Sequence, residues 1–137
     1  MTPIYETSFI VFPQDTNTLE DKHMVFGGKM LAEMDKVASI SVKRWMYDNN
    51  LPRDWYAVTV GVNKVSFHRP AYLGDLVRLT GTIESVGKTS VTIRVTTEMQ
   101  NKGVGHTFLM GSGLFTFCTV HTVDGTDNVP IKHEVGI

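Results

Sequence analysis

An α+β domain, with one long helix wrapped by a curved antiparallel sheet of about five strands, is the fold class this sequence predicts. Three observations carry it. One segment, opened by Gly27-Gly28, has unbroken helical periodicity; everything after Trp55 alternates with period two; and an apolar stretch before the helix supplies a first strand. No repeat, low-complexity tract or linker divides the 137 residues, so residues 1–137 read as one domain.

In chain order, Ile4 to Phe12 is apolar and predicts the first strand. Pro13 to Lys22 is rich in turn formers and predicts a loop. The helix follows, to about Tyr47, with Met30, Leu31, Met34, Val37, Ala38, Val42 and Trp45 in one apolar stripe and Lys29, Glu33, Lys36 and Lys43 on the opposite side. Asn49-Asn50-Leu51-Pro52 ends it, because the residue before a proline avoids helical angles. Val58, Val60 and Val62 alternate, and Val65 and Phe67 continue with the parity switched. That switch predicts a β-bulge near Asn63-Lys64. Arg69-Pro70 closes the strand. Val77, Leu79 and Ile83 mark the next, Gly87-Lys88 a tight hairpin turn, and Val91, Ile93 and Val95 a third. Leu109 to Val120 is apolar on both faces, as in a central strand, and Gly111 and Gly113 within it permit close backbone approach or a bend. Asp124-Gly125 predicts a turn near the end.

Composition narrows the function classes. A 42% hydrophobic content supplies a core, and a net charge of −1 offers no basic face for nucleic acid and no polybasic run for a membrane surface. The lone Cys118 excludes an internal disulfide, and with no signal-peptide pattern or long apolar run the expected setting is soluble and cytoplasmic. His23, His68, His106, His121 and His133 are scattered, so no metal site is expected.

Three stretches, read together, resemble the acyl-CoA hydrolase branch of the hot-dog-fold thioesterases. They are Val25-Phe-Gly-Gly-Lys-Met-Leu-Ala-Glu-Met-Asp35-Lys-Val-Ala38; Val58-Thr-Val-Gly-Val-Asn-Lys-Val-Ser-Phe67-His-Arg-Pro70 with Gly74-Asp75; and Val86-Gly-Lys-Thr-Ser90. A weaker fourth is Gly113-Leu-Phe-Thr-Phe117. Asp15-Thr16-Asn17 also matches, but a longer polar stretch separates it from the Gly-Gly pair, and the last strand reads Cys118-Thr119-Val120-His121 in place of the family's usual residues. The resemblance implies a hot-dog fold, hydrolysis of acyl-CoA to free acid and coenzyme A, no cofactor beyond the coenzyme A of the substrate, and a homodimer that assembles further, as a hexameric trimer of dimers or a tetramer.

Thioester hydrolysis needs a polarised carbonyl and an activated water or carboxylate nucleophile. Unpaired N–H groups at Gly27-Gly28 on the helix N-terminus supply the first. Asp35, at the border of the apolar stripe and close to Gly28 in direction, supplies the second as base or nucleophile. Asn17 is a third candidate, as an orienting amide or as an Asx-turn residue of a loop. Lys88, Thr89 and Ser90 on their turn fit the coenzyme A phosphates, or are a solvated hairpin tip. Phe67 and Met34 read as acyl-pocket lining or as ordinary core, and Arg69, with Lys64 and Arg94, as an extension of the basic surface. His68 reads as structural.

Seven helical residues span roughly 10.5 Å, too far for Gly28 and Asp35 of one chain to serve one thioester. Two antiparallel helices in a dimer would bring Gly28 of one beside Asp35 of the other, which makes the minimal unit a homodimer with two composite sites. The alternatives are a hot-dog dehydratase or hydratase, disfavoured because the helix carries Asp35 and no catalytic histidine, and a non-catalytic acyl-CoA-binding protein, disfavoured by the intact Asp35.

Overall fold

The structure, a computed structural model, describes residues 3–19, 22–100, 106–121 and 129–130. Its elements run β1 (Tyr5–Ile10), a 3-10 turn (Pro13–Asp15), β2 (Thr16–Leu19), β3 (Lys22–Val25), α1 (Gly27–Asp48), β4 (Tyr56–Phe67), β5 (Leu76–Val86), β6 (Ser90–Gln100), β7 (Thr107–His121) and β8 (Val129–Pro130). The main sheet is antiparallel in the order β1-β5-β6-β7-β4, with β8 added alongside β7. The turn expected at Asp124-Gly125 lies outside the described residues.

Helix α1 covers one face of the sheet. Met30, Met34, Val37, Ala38, Val42 and Trp45 are buried against Val77, Leu79, Val91, Ile93, Val95, Phe115 and Phe117. Each such side chain contributes roughly 1.5–3 kcal/mol on leaving water, so this interface dominates the fold's stability. Leu31 departs from the stripe the sequence assigns it to, being 39% exposed on the flank that also carries Asp35. Helix and sheet approach each other closely at Gly81. A Cβ there would run into Ser41 Oγ, which donates to the Val37 carbonyl at 2.7 Å.

The helix ends one residue past the expected point, and for a different reason. Asn50 adopts a left-handed φ of 57°, its N–H donates to the Tyr47 carbonyl at 3.0 Å, and Leu51 N–H donates to the Met46 carbonyl at 3.0 Å. That is a Schellman closure with asparagine in the position glycine usually fills. Pro52 follows a helix already closed.

Two further expectations change. The Pro13–Lys22 stretch is no plain loop: a turn leads into β2, which pairs with β3 so that Asn17 faces Met24 across a two-stranded ribbon. Short polar strands give little periodicity, which is why the pairing is hard to read. Strand β7 is not buried on both faces. Met110, Phe115 and Phe117 are buried, while the alternating Leu114, Thr116 and Cys118 are half-buried on the side away from α1. It is nonetheless an interior strand, as expected, paired with β6 on one side and β4 on the other.

The bulge expected near Asn63-Lys64 is present, with Lys64 at a φ of 52° and a register shift between Asn63 and Ser66. A second shift on β4 lies between Thr59 and Gly61. Such irregularities bend a strand and increase its twist. The close approach expected at Gly111 and Gly113 is real: a Cβ on Gly111 would collide with the Ser66 carbonyl, and one on Gly113 would lie 2.9 Å from Val65 Cγ2.

Candidate active site

The N-terminus of α1 starts at an extended Phe26 with no side-chain cap. Lys29 and Met30 N–H groups both turn back to the Phe26 carbonyl, at 3.1 and 3.3 Å. The N–H groups of Gly27 and Gly28 find no acceptor among the described residues, and both glycines are exposed. Aromatic rings flank them. A Cβ on Gly28 would lie 3.6 Å from the Phe26 ring, and one on Gly27 would lie 3.9 Å from Phe67 Cε2. Two unpaired donors at the positive end of a 22-residue helix, beside apolar rings, suit a carbonyl oxygen that gains negative charge.

Two turns further on, Asp35 is half-buried, and its Oδ1 accepts a hydrogen bond from Thr59 Oγ1 at 3.0 Å. Thr59 is a partner of Asp35 that the sequence alone does not single out. Its signal was a hydroxyl on an otherwise valine-rich alternation, and only the register of β4 against the helix shows that it points at Asp35. The bond leaves the second carboxylate oxygen of Asp35 free of any partner among the described residues.

The ribbon meets the helix through Asp15. Its Oδ2 accepts from Phe12 N–H at 2.9 Å, and its Oδ1 lies 3.3 Å from Lys29 Nζ on the first turn of α1. Lys29 also reaches Glu33, at 2.9 Å, and Lys36 joins the same carboxylate at 3.2 Å. Burial alone would raise the Glu33 pKa, but hydrogen bonds from the two lysines outweigh it, and the group is held below its ordinary value. Asn17 is exposed on β2, two residues beyond Asp15. The Gly74-Asp75 turn fixes the other side of the ribbon: Gly74 has a φ of 89°, Asp75 Oδ2 accepts from Tyr72 N–H at 2.9 Å, and the preceding Ala71 carbonyl accepts from Val25 N–H at 2.9 Å.

The remaining predicted residues fall into two groups. Lys88, Thr89 and Ser90 form the β5–β6 turn, where Gly87 N–H donates to the Ser90 carbonyl at 2.8 Å and Thr119 N–H donates to the Thr89 carbonyl at 3.0 Å. Lys88 is exposed at its tip. Arg69 lies at the other end of the sheet, its guanidinium 4.5 Å from the centre of the Phe108 ring. Through β7, Phe67 is level with Thr97 of β6, seven residues from Ser90, or roughly 23 Å along a strand. Arg69 and Lys88 of one chain therefore cannot hold one phosphate. Arg94 does not extend a basic surface, because Glu84 holds it in a two-pronged pair at 2.9 Å per bond. Met34 is fully buried core, and His68 Nε2 pairs with Ser66 Oγ at 3.3 Å.

Residues 22–105, covering the ribbon strand β3, α1 and strands β4 to β6, match the family model described as the thioesterase superfamily. The chain belongs to the thioesterase superfamily. An uncharacterized acyl-CoA thioester hydrolase of Zymomonas mobilis is 31% identical over 134 residues, 98% of this chain and 85% of that protein. Among solved structures, an acyl-CoA hydrolase from Bacillus cereus superposes with a TM-score of 0.76 at 28% identity, over 93% of this chain and 69% of that one. The apo form of a hexameric acyl-CoA thioesterase gives 0.75 at 27% identity, over 96% and 79%. The thioesterase fold is thus the hot-dog expected from the sequence, and no helix among the described residues is long and apolar enough to cross a membrane.

Proposed function

We propose that this thioesterase-superfamily chain hydrolyses acyl-CoA to a free acid and coenzyme A, in sites completed across a homodimer. The observation that carries the reading is the Asp35 carboxylate, held through one oxygen by Thr59 at 3.0 Å, on the helix that Gly27-Gly28 opens. A carboxylate oriented in this way can take a proton from water or attack the thioester carbon, while the glycine N–H groups receive the oxyanion.

The dimer follows from two supports. Gly28 and Asp35 of one helix stand roughly 10.5 Å apart, so each thioester draws them from different chains. Strand β4 supplies the means: it is an edge of the sheet, 12 residues long, with Val60 and Val62 at 60% and 45% exposure beside the Asp35–Thr59 pair. A long apolar edge invites pairing, and β4 against its own copy sets the two helices antiparallel. One protomer then contributes Asp35, Thr59 and the Lys88–Ser90 turn for the coenzyme A phosphates, and its partner contributes Gly27, Gly28 and Phe67. Asn17 is assigned the orienting amide on the ribbon, and the dimers assemble further as hexamers or tetramers in the cytoplasm.

The test is steady-state hydrolysis of acetyl-, medium- and long-chain acyl-CoA by the protein and two variants. Asp35→Ala is expected to lower kcat by roughly 10²–10⁴, with KM little changed. Thr59→Val, which keeps shape and loses the hydroxyl, is expected to lower kcat and Thr59→Ser to restore most of it. Undiminished turnover by Asp35→Ala would remove the catalytic assignment.

A further inference from the structure

On the face of α1 turned from the sheet, Ser39, Ile40, Lys43, Arg44 and Tyr47 line an open groove of about 450 Å³ that the hydrolytic site does not use. Its lining is mostly apolar, with Ile40 and Tyr47 40% and 39% exposed. Its rim is basic. Arg53 lies over the Tyr47 ring at 4.2 Å from the centroid, Lys43 lies over the same ring at 5.6 Å, and Arg44 lies over Tyr5 at 5.7 Å. An aromatic face attracts a cation without cancelling its charge. None of these three has a carboxylate in ion-pair range among the described residues, whereas Lys29, Lys36, Arg78 and Arg94 each do. Glu6 borders the adjoining depression with Arg44 and makes no ion pair with it.

We propose that this groove binds a fatty carboxylate, with the chain lying along Ile40 and Tyr47 and the carboxylate held by Lys43 and Arg44. Uncompensated positive charge selects an anion, and the apolar floor selects one with a hydrocarbon tail. The volume falls in the range of single-ligand pockets, ~300–1,000 Å³, which favours one chain over a lipid surface. The choice of carboxylate among amphipathic anions rests on the proposed reaction, which releases a fatty acid. Arg44 lies over Tyr5 of β1, at the sheet edge opposite β4, so the cationic end of the groove is on the side of α1 away from Thr59, with Ser39, one turn beyond Asp35, its nearest point to that pair.

The experiment is calorimetric titration with dodecanoate, below its micellar concentration and with coenzyme A saturating the catalytic site. Saturable binding is expected. It should weaken at least roughly tenfold in Lys43→Ala/Arg44→Ala, with dodecyltrimethylammonium failing to bind and acetyl-CoA hydrolysis unchanged. Binding abolished by coenzyme A, or equal in the double variant, would overturn the groove. So would a change in mass of the double variant by light scattering, which would assign the face to a contact between copies of the chain. A protein that takes up dodecanoate here yet hydrolyses no acyl-CoA would overturn the reaction and leave the groove standing.

Discussion

Gly28 separates the two reasons a glycine can occupy the start of a helix. If it serves only to turn the chain, a methyl group there is tolerated by the fold and harmless to function. The structure shows that it is tolerated: the added Cβ would meet the Phe26 ring at 3.6 Å, an ordinary contact. Gly28→Ala is therefore expected to raise stability by about 0.5 kcal/mol, through lower unfolded-state entropy, measured by urea denaturation. Because in the proposed site the same methyl would stand where the carbonyl oxygen approaches the N–H group, turnover is expected to fall by two orders of magnitude or more. A variant both more stable and fully active would return Gly28 to the role of a turn residue. As candidates, Asp35 and the glycines are legible in the sequence, because motif order along the chain marks them. Thr59 is not, because its pairing with Asp35 exists only through the register of β4, 24 residues away.

At the scale of elements, α1 and the period-two strands were legible because burial imposes periodicity on them. The β2–β3 ribbon was not, since its strands are four residues each and largely polar. Backbone hydrogen bonds to the Ala71–Leu73 segment hold one side of the ribbon, and on the other an ion pair from Asp15 to Lys29, itself paired within α1 to Glu33, ties its start to the helix. Glu33 has a depressed pKa, so its contribution is present above the ordinary carboxylate value of 4.5 and is lost as pH falls through the lower folded value. Glu33→Gln should flatten the decline in stability below about pH 4.5, by about 0.5–1 kcal/mol at most for pairs this exposed. An unchanged acid profile would place the dependence elsewhere. The helix–sheet contact is steric instead. Gly81→Ala should destabilise by roughly 1–3 kcal/mol, because its methyl meets Ser41 Oγ, and Ser41→Ala in the same chain should recover part of the loss. Equal melting temperatures for Gly81→Ala and the double variant would mean that backbone shifts, rather than this contact, absorb the methyl.

The whole molecule decides whether the site belongs to one chain or two. Within one chain, Asp35–Thr59 shares an end of the sheet with the Lys88 turn, since Thr59 pairs with Phe117 and Phe117 with Val91. Phe67 instead flanks Gly27 at the helix N-terminus. In the dimer proposed above, a twofold axis at the β4 edge would join the first group of one protomer to the second group of the other, and that arrangement has a stoichiometric consequence. Asp35→Ala retains Gly28, and Gly28→Ala retains Asp35, so each homodimer is inactive while a mixed dimer holds one intact site and one doubly defective one. Unfolding the two variants together and refolding them at equal concentration makes about half the dimers mixed. Roughly a quarter of wild-type turnover should return if protomers pair at random. If each site were built within one chain, both substitutions would disable their own chain and mixing would recover nothing. Recovery near a quarter, with light scattering showing no monomer, is therefore the outcome expected of composite sites.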